Sequence, residues 1–271
     1  MSVSTTGPRG SKLVDRVALV TGGTRGIGAA ISRSLADQGA TVAMGFGRDQ
    51  QRADEFLGQL REQFPDSAFS AHQGNVGSAE DCRRTIKDVI AQHGRLDILV
   101  NNAGITRDRT VLKMEDDDWD AVVQVNLSGT FYMAQAALKH MLERGTGRIV
   151  NVSSIIGEMG NIGQANYAAS KSGLFGLTKT LAREAAFHLQ RSGKLNVDSI
   201  GLTVNTVTPG YVNTEMVEAV PEKVLDKIKG QIPMARLADP DEIARVVHFL
   251  CADRSSYITG QVWGVNGGMD M

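Results

Sequence analysis

Short apolar runs alternate with longer amphipathic segments along the chain. The first run, RVALVTGG at residues 16–23, is almost continuously apolar and ends in glycines. Six later runs share this character and cover residues 40–46, 68–76, 96–104, 147–154, 202–210 and 261–268. Continuous apolar runs of this length are typical of strands buried on both faces of a sheet. The pattern therefore predicts seven buried strands.

The segments between these runs carry apolar residues at helical spacing. They cover residues 26–38, 50–63, 78–92, 119–143 and 165–190. Alternation of strand and helix predicts an α/β fold, namely a single Rossmann-type, doubly wound domain with a seven-stranded parallel sheet and helices on both faces. We assign this domain to residues 13–271 and expect the polar residues 1–12 to form a flexible tail. The connection 211–238 follows the sixth strand at the carboxyl end of the sheet, where loops commonly cover ligands.

Composition and charge narrow the classes of partner. Apolar residues make up 42% of the 271 residues, and the formal net charge is −1, so no basic field favours nucleic acid. Every apolar run is shorter than the ~18 residues that a membrane span needs. The two cysteines and five histidines lack metal-ligand spacing. We therefore expect a cytoplasmic protein without a metal site and without membrane or nucleic-acid partners.

The first strand runs into the glycine-rich segment TGGTRGIG at 21–28 and then into a helix. Glycine lets the backbone approach a phosphate closely, and a helix N-terminus offers free N–H groups and the positive end of a dipole. The segment therefore favours a dinucleotide pyrophosphate. A tight turn without a ligand is the alternative, since the spacing differs from the usual G-x-G-x-x-G pattern.

Tyr167 and Lys171 lie four residues apart in a segment otherwise rich in Ala, Ser and Gly. Residues at this spacing share one face of a helix, so both side chains can face one site. A free phenol has a pKa of ~10, and a nearby ammonium group favours the phenolate and lowers that value. The pair is therefore predicted to act as a general acid or base. A solvated surface pair is the alternative.

Five motifs, in this order, resemble those of the short-chain dehydrogenase/reductase family. They are TGxxxGxG at 21–28, NNAG at 101–104, Asn126 in VNLSG, Ser154 followed by YAASK at 167–171, and PG at 209–210. The resemblance implies that Tyr167 protonates a carbonyl oxygen as hydride arrives from a nicotinamide. It implies that Lys171 bonds the nicotinamide ribose and that Ser154 stabilises the developing oxyanion. Asn126 would hold a water that links Lys171 to solvent.

The same resemblance implies a site for NADP(H). Its predicted members are Gly22, Thr24, Arg25, Gly26, Ile27, Gly28, Gly47, Arg48, Asn75, Val76, Asn102, Ala103, Gly104, Tyr167, Lys171, Pro209, Gly210, Val212 and Thr214. Enzymes that prefer NAD usually carry an acid at the end of the second strand, where Phe46 stands here. Arg25 and Arg48 are then available to bind a 2′-phosphate. We expect NADP(H), and the nearby Asp49 leaves NAD as the alternative.

Three segments resemble two kinds of reductase within the family. NNAGITRD at 101–108, GNIGQANYAASKSG at 160–173 and VNGGMDM at 265–271 are similar to bacterial 3-oxoacyl-acyl carrier protein reductases and to acetoacetyl-CoA reductases. Both imply reduction of a 3-oxoacyl thioester. The predicted substrate contacts are Ser154, Ile156, Gln164, Tyr167 and Tyr211. Reduction of another ketone and a non-catalytic NADP(H)-binding regulator are the alternatives.

The resemblance also implies partners. The acyl chain would be carried on acyl carrier protein or CoA, and both carriers are anionic. Candidate basic contacts are Arg107, Arg109, Arg144 and Arg191, for each of which simple solvation is the alternative. The polar segment 191–201 is longer than the corresponding family loop, and we expect it near the carrier surface. A homotetramer is implied, with residues 129–142 and 262–271 at its interfaces.

Overall fold

The structure, a computed structural model, describes residues 10–215 and 222–271. Its seven strands are shorter than the apolar runs that predict them, because the glycines and polar residues at the run ends form turns. The strands are β1 Val17–Thr21, β2 Thr41–Phe46, β3 Phe69–Gln73, β4 Ile98–Asn101, β5 Gly147–Val152, β6 Leu202–Pro209 and β7 Val262–Val265. Residues 1–9 of the predicted tail lie outside the described residues, so the boundary at residue 13 stays a prediction.

All seven strands form one parallel sheet in the order β3-β2-β1-β4-β5-β6-β7. The order reverses direction at β1, so the loops after β1 and β4 diverge at the carboxyl edge of the sheet. A cleft opens at such a reversal, and ligands of doubly wound sheets bind there. The prediction of a doubly wound parallel sheet is confirmed.

Nine α-helices lie within the described residues and connect or flank the strands. They are α1 Gly26–Asp37, α2 Gln50–Gln63, α3 Ala79–His93, α4 Asp116–Val123, α5 Gly129–Arg144, α6 Ile156–Met159, α7 Ala165–Arg191, α8 Glu222–Lys229 and α9 Pro240–Cys251. A π-helical turn, Gln124–Ser128, joins α4 to α5. Short 3-10 turns occur at Val111–Lys113 and Asp253–Ser255. Each helix in these ranges is too short or too polar to cross a membrane.

Alternating side chains of the strands face two separate cores. Ala18 and Val20 of β1 pack in a cluster with α1, α2 and α9, whereas Val17 and Leu19 pack with α3, α5 and α7. This alternation follows from the two-residue period of a strand. Helices therefore cover both faces of the sheet, as the continuous apolar runs predict.

The segment 191–201 lies at the amino edge of the sheet, which corrects the expectation that it borders the carrier surface. Helix α7 runs antiparallel to the strands, so its last residues reach the edge where β5 and β6 begin. The Gly147 N–H donates to the Gly201 carbonyl there at 3.2 Å. Lys194 donates to the carbonyl of Glu143 at 2.6 Å, which caps the end of α5. The predicted site lies at the opposite edge.

Candidate active site

Four predicted catalytic side chains converge at the carboxyl edge of the sheet. Ser154 follows β5 directly, Tyr167 and Lys171 occupy the first two turns of α7, and Asn126 lies in the π-helical turn. The Ser154 hydroxyl lies close enough to the Tyr167 phenol to lower its pKa in part. The Lys171 ammonium nitrogen lies 5.7 Å from the centre of the Tyr167 ring. The spacing of four residues thus places the phenol and the amine on one face of α7.

The two adjacent serines after β5 have different partners. Ser153 is buried, and its hydroxyl donates to the Lys171 backbone carbonyl at 2.8 Å, so it anchors α7 against the sheet. The Ser154 oxygen accepts a bond from the Ile156 N–H at 3.2 Å and turns toward Tyr167. Ser154 is therefore the serine placed to touch a carbonyl that also contacts the phenol.

Lys171 is an almost completely buried lysine, with 4% of its surface exposed. Its ammonium group donates to the Val152 carbonyl at 2.9 Å. Burial lowers the pKa of this group from 10.5 to about 8, because the charged form loses its hydration. A lysine in this state can exchange a proton at pH values only slightly above neutral.

The pKa of Tyr167 differs from the sequence-based expectation. Burial raises it above its ordinary value of 10, the hydrogen bond with Ser154 lowers it in part, and the Asp108 carboxylate raises it further. The expected lowering by Lys171 does not dominate, because removing the phenolate from water is costlier. The predicted lowering of the Tyr167 pKa is therefore wrong. The surrounding groups of the protein raise this pKa and keep the phenol protonated.

Asn126 and Lys171 share a small gap in front of Gly104. A Cβ atom built on Gly104 would lie 3.3 Å from the Asn126 Oδ1 atom and 3.4 Å from the Lys171 Nζ atom. Asn126 is completely buried, and its amide bonds both the N–H and the carbonyl of Ile105, at 2.9 and 3.0 Å. The gap is bordered by polar atoms and suits a hydroxyl group or a water.

The glycine turn between β1 and α1 has the form of a phosphate cradle. Gly22 and Gly26 adopt positive φ angles of 61° and 50°, and a Cβ on Gly28 would clash with the Gly22 carbonyl oxygen. Arg25 stands at the N-cap of α1 and makes no side-chain cap bond, so the first N–H groups of the helix are open toward the turn. Backbone N–H groups at a helix start suit an anionic pyrophosphate, so the turn fits a dinucleotide.

NNAG supports this turn from the neighbouring strand. The Asn102 side chain donates to the carbonyls of Thr21 and Gly22 at 3.0 and 3.2 Å. The Thr21 hydroxyl accepts from the N–H groups of Asn102 and Ala103 at 3.0 and 3.1 Å. Asn102 thus shapes the glycine turn through its side chain, and a direct contact with a ribose stays a prediction for Asn102, Ala103 and Gly104.

Comparison with known proteins identifies the family of this chain. The family profile described as enoyl-(acyl carrier protein) reductase matches residues 22–270. The chain belongs to the short-chain dehydrogenase/reductase family. It is similar to the 3-oxoacyl-[acyl-carrier-protein] reductase of Staphylococcus aureus, with 42% identity over 254 residues, which cover 94% of this chain and 98% of that protein.

Two other relatives have comparable similarity. The 3-oxoacyl-[acyl-carrier-protein] reductase of Aquifex aeolicus is 42% identical over 258 residues, covering 95% of this chain and 98% of that protein. The acetoacetyl-CoA reductase of Shinella zoogloeoides is 46% identical over 256 residues, covering 94% and 98%. The similarity to short-chain dehydrogenases/reductases thus extends over nearly the whole chain.

The end of β2, where dinucleotide-binding proteins that prefer NAD usually carry an acid, lacks a free acid here. Phe46, which stands at this position, is buried. The Asp49 side chain accepts from the Arg52 N–H at 3.0 Å and caps α2, so this carboxylate is engaged by the helix. Arg25 and Arg48 are exposed and form no ion pair with a described residue. Gly47 is exposed beside them, and its carbonyl accepts from Gln73.

The predicted cofactor residues that follow β3 are at least partly exposed. Asn75 is exposed, its side chain accepts from the Gly77 N–H at 3.0 Å, and Val76 is half-buried. Two further predicted members belong to the glycine turn: Thr24 is buried, and Ile27 is partly buried and packs against the core.

The turn after β6 faces the site. The Pro209 carbonyl accepts from the Ile155 N–H at 2.9 Å, which joins this turn to the segment after Ser154. A Cβ on Gly210 would lie 2.8 Å from the Asn266 Cα, so the backbones pack closely there. Val212 is buried, and Thr214 contacts the position of a Cβ on Gly26 at 3.6 Å. Thr214 therefore lies next to the glycine turn, and its contact with a pyrophosphate stays a prediction.

The predicted substrate contacts lie around the mouth of the site. Ile156 begins α6 and Tyr211 follows β6, and both are partly exposed. Gln164 precedes α7, and its amide donates to both carboxylate oxygens of Asp108 at 3.2 and 3.1 Å. Two of the predicted basic contacts, Arg107 and Arg109, lie beside Asp108 in the loop after β4. Arg144 and Arg191 end helices at the opposite edge, so the prediction that they meet the carrier is wrong for this placement.

Sequence reasoning missed two side chains that the fold brings to the phenol. Asp108 lies close enough to raise the pKa of Tyr167, and Asn166 is a completely buried amide beside it in the chain. Their signal is weak in the sequence, because a polar residue next to a motif is usually solvated. Helix α8, within the connection 211–238, was also not predicted.

Proposed function

We propose that this protein reduces the ketone of a 3-oxoacyl thioester, carried on acyl carrier protein, to the 3-hydroxyacyl thioester with NADPH. The observation that carries this proposal is the convergence of Ser154 and Tyr167 beside the buried Lys171, whose ammonium nitrogen lies 5.7 Å from the centre of the Tyr167 ring. It occurs in a chain that resembles 3-oxoacyl-[acyl-carrier-protein] reductases over nearly its whole length. A protein that only bound the nucleotide would not need all three side chains, which argues against the regulator alternative.

Side chains of this protein stabilise the carbonyl oxygen and supply the proton. Bound NADPH supplies the hydride, which goes to the carbonyl carbon. Ser154 donates a hydrogen bond to the carbonyl oxygen and stabilises its developing negative charge. Tyr167 donates its phenolic proton to the same oxygen, so the C=O group becomes an alcohol. The Lys171 ammonium, with its pKa of about 8, lies beside the phenol and stabilises the phenolate left behind.

The residues present fit a dinucleotide. The positive φ angles in the glycine turn and the open start of α1 suit a pyrophosphate, and the gap at Gly104 suits a ribose hydroxyl near Lys171. NADPH is preferred in this proposal because Asp49 is engaged as a helix cap while Arg25 and Arg48 are exposed. A 2′-phosphate would accept charge-assisted hydrogen bonds from such guanidinium groups.

We also propose a homotetramer in the cytoplasm. Large apolar side chains are exposed on α5, α7 and α9: Phe131, Phe187 and Phe249 are 39%, 51% and 45% exposed. Exposed large apolar side chains on helix surfaces are typical of subunit interfaces. Both cysteines are buried and free, which is consistent with a reducing compartment. Size-exclusion chromatography with light scattering tests the tetramer, and a monomer would contradict it.

The test of function is nicotinamide absorbance with purified protein and three ketones. We expect faster oxidation of NADPH with acetoacetyl-acyl carrier protein than with acetoacetyl-CoA or a simple ketone. Faster turnover with acetoacetyl-CoA would favour the second candidate, which rests on the 46% identity to an acetoacetyl-CoA reductase. Binding of NADPH without turnover of any ketone would contradict the proposal and support the regulator.

A further inference from the structure

Asn166 is a completely buried amide in the first turn of α7, directly before Tyr167. Its Oδ1 atom accepts from the Tyr167 N–H at 2.7 Å. Its Nδ2 group donates to the Arg107 carbonyl at 3.0 Å and to the Asp118 carbonyl at 2.9 Å. The amide therefore uses both donor protons on backbone groups of two other segments.

These bonds tie α7 to two elements that are distant in the chain. Arg107 belongs to the loop 104–109 after β4, and Asp118 lies in the first turn of α4. The first N–H groups of a helix have no partner within the helix, and Asn166 satisfies one of them at the residue that carries the phenol. A single side chain thus connects the start of the catalytic helix, the loop and α4.

The same loop is bonded to α7 at three neighbouring points. Asn126 bonds Ile105 and also donates to the Ser170 hydroxyl at 3.1 Å, which donates to the Tyr167 carbonyl at 2.8 Å. Gln164 bonds Asp108, and the Arg109 N–H donates to the Gly163 carbonyl at 2.8 Å. Within this row of contacts, Asn166 is the buried one that reaches both the loop and α4.

We propose that Asn166 is a positioning residue: it fixes the start of α7, and with it the Tyr167 hydroxyl, against the loop 104–109 and α4. This inference rests on the proposed function for the part Tyr167 plays. Loss of the amide removes one hydrogen bond at the backbone of Tyr167 and two hydrogen bonds to the loop and to α4. A displacement of about 1 Å at a reacting group can cost roughly 10²-fold in rate. We therefore expect the loss of Asn166 to lower the catalytic rate more than it weakens ligand binding.

The chain offers a matched control in Asn205 of β6. This residue is 1% exposed, and its amide donates to the Ile258 carbonyl at 2.7 Å and accepts from the Gln261 N–H at 3.1 Å. It joins backbone segments beside β7 in the same manner but does not contact the four catalytic side chains. Replacing either residue by alanine removes a buried amide, so both variants should lose thermal stability.

The experiment compares Asn166→Ala and Asn205→Ala for Tm, kcat, KM for the thioester and Kd for NADPH. We expect similar decreases in Tm, a roughly 10²-fold decrease in kcat for Asn166→Ala alone, and an unchanged Kd for NADPH. Asn166→Asp adds a pH test, because an ionised carboxyl cannot donate to the two carbonyls while a protonated one can donate to one of them. The kcat of Asn166→Asp relative to that of the wild type should therefore rise as the pH falls. This measurement tests the proposal even if Asn166→Ala does not fold.

Two results would overturn the proposal. One is a kcat for Asn166→Ala that matches that of Asn205→Ala, and the other is a relative kcat of Asn166→Asp that is independent of pH. If the wild-type protein reduces neither thioester, the proposed function fails, and the phenol is tested directly. The ultraviolet titration of Tyr167, taken as the difference from Tyr167→Phe, should then shift in Asn166→Ala toward that of an exposed tyrosine. An unchanged titration would refute the positioning role by itself.

Discussion

Replacing Lys171 by methionine should make the protein more stable at neutral pH while it removes a proposed catalytic group. The lysine is buried, and this burial lowers its pKa from 10.5 to about 8. One pKa unit corresponds to about 1.4 kcal/mol, so the buried ammonium destabilises the folded state by roughly 3 kcal/mol at neutral pH. Methionine loses the hydrogen bond to Val152, which costs about 1 kcal/mol. We therefore expect a net gain of roughly 2 kcal/mol in the free energy of unfolding.

The dependence on pH has a definite sign. Below pH 8 the lysine is protonated in both the folded and the unfolded state, so the wild type carries the full cost. Between pH 8 and 10.5 the unfolded state binds more protons than the folded state, so wild-type stability rises with pH relative to the variant. The advantage of Lys171→Met should therefore be largest at pH 7 and shrink steadily toward pH 10.5.

Urea unfolding followed by circular dichroism, at fixed protein concentration and without nucleotide, measures this difference at several pH values. Lys179→Met is the matched control, since Lys179 lies on the same helix and is exposed. An exposed substitution should change stability by about 0.5 kcal/mol or less at every pH. If Lys171→Met were less stable than the wild type at pH 7, or if its advantage did not depend on pH, the burial argument would be refuted.

Three further predictions concern activity. Tyr167→Phe should remove nearly all turnover and leave Kd for NADPH unchanged in a fluorescence titration, and near-normal kcat would contradict its role as the acid. Gly104→Ala should weaken NADPH binding because its Cβ fills the gap between two polar groups, whereas Gly176→Ala, on the exposed side of α7 with open space around it, should not. Arg48→Ala should lower kcat/KM for NADPH by about tenfold to a hundredfold, the worth of one charge-assisted hydrogen bond, and leave that for NADH unchanged. Equal effects on both nucleotides would argue against a 2′-phosphate contact.

The fold was predictable because the sequence pattern of a buried strand occurs seven times along the chain. Most strands are apolar runs that end at a turn residue, and the segments between them have the period of a helix. The π-helical turn 124–128 was not predictable, because QVNLS carries no residue that excludes an α-helix. Its geometry depends on tertiary contacts, such as the bonds of Asn126 to Ile105 across the sheet edge.

The error over segment 191–201 could have been avoided from topology alone. In a parallel sheet each helix returns to the edge where the next strand begins. A segment between a helix and the following strand therefore lies at the amino edge, and ligands of this fold bind at the carboxyl edge. The same rule places Arg144 and Arg191 away from the site. Motif resemblance predicts which residues form the site, but the direction of the chain decides which surface a segment occupies.

The pKa values of Tyr167 and Lys171 are coupled to the direction of the proposed reaction. Reduction of a ketone needs a protonated phenol at the start, and burial keeps the Tyr167 phenol protonated because it raises its pKa. The phenolate formed by proton transfer needs a cation nearby, and Lys171 is protonated at neutral pH despite its lowered pKa of about 8. A strongly acidified phenol would already be deprotonated and would suit the oxidation of an alcohol. The protein's own groups thus hold an acid ready for a carbonyl, with the compensating charge beside it, and this favours reduction as the direction for which the site is arranged.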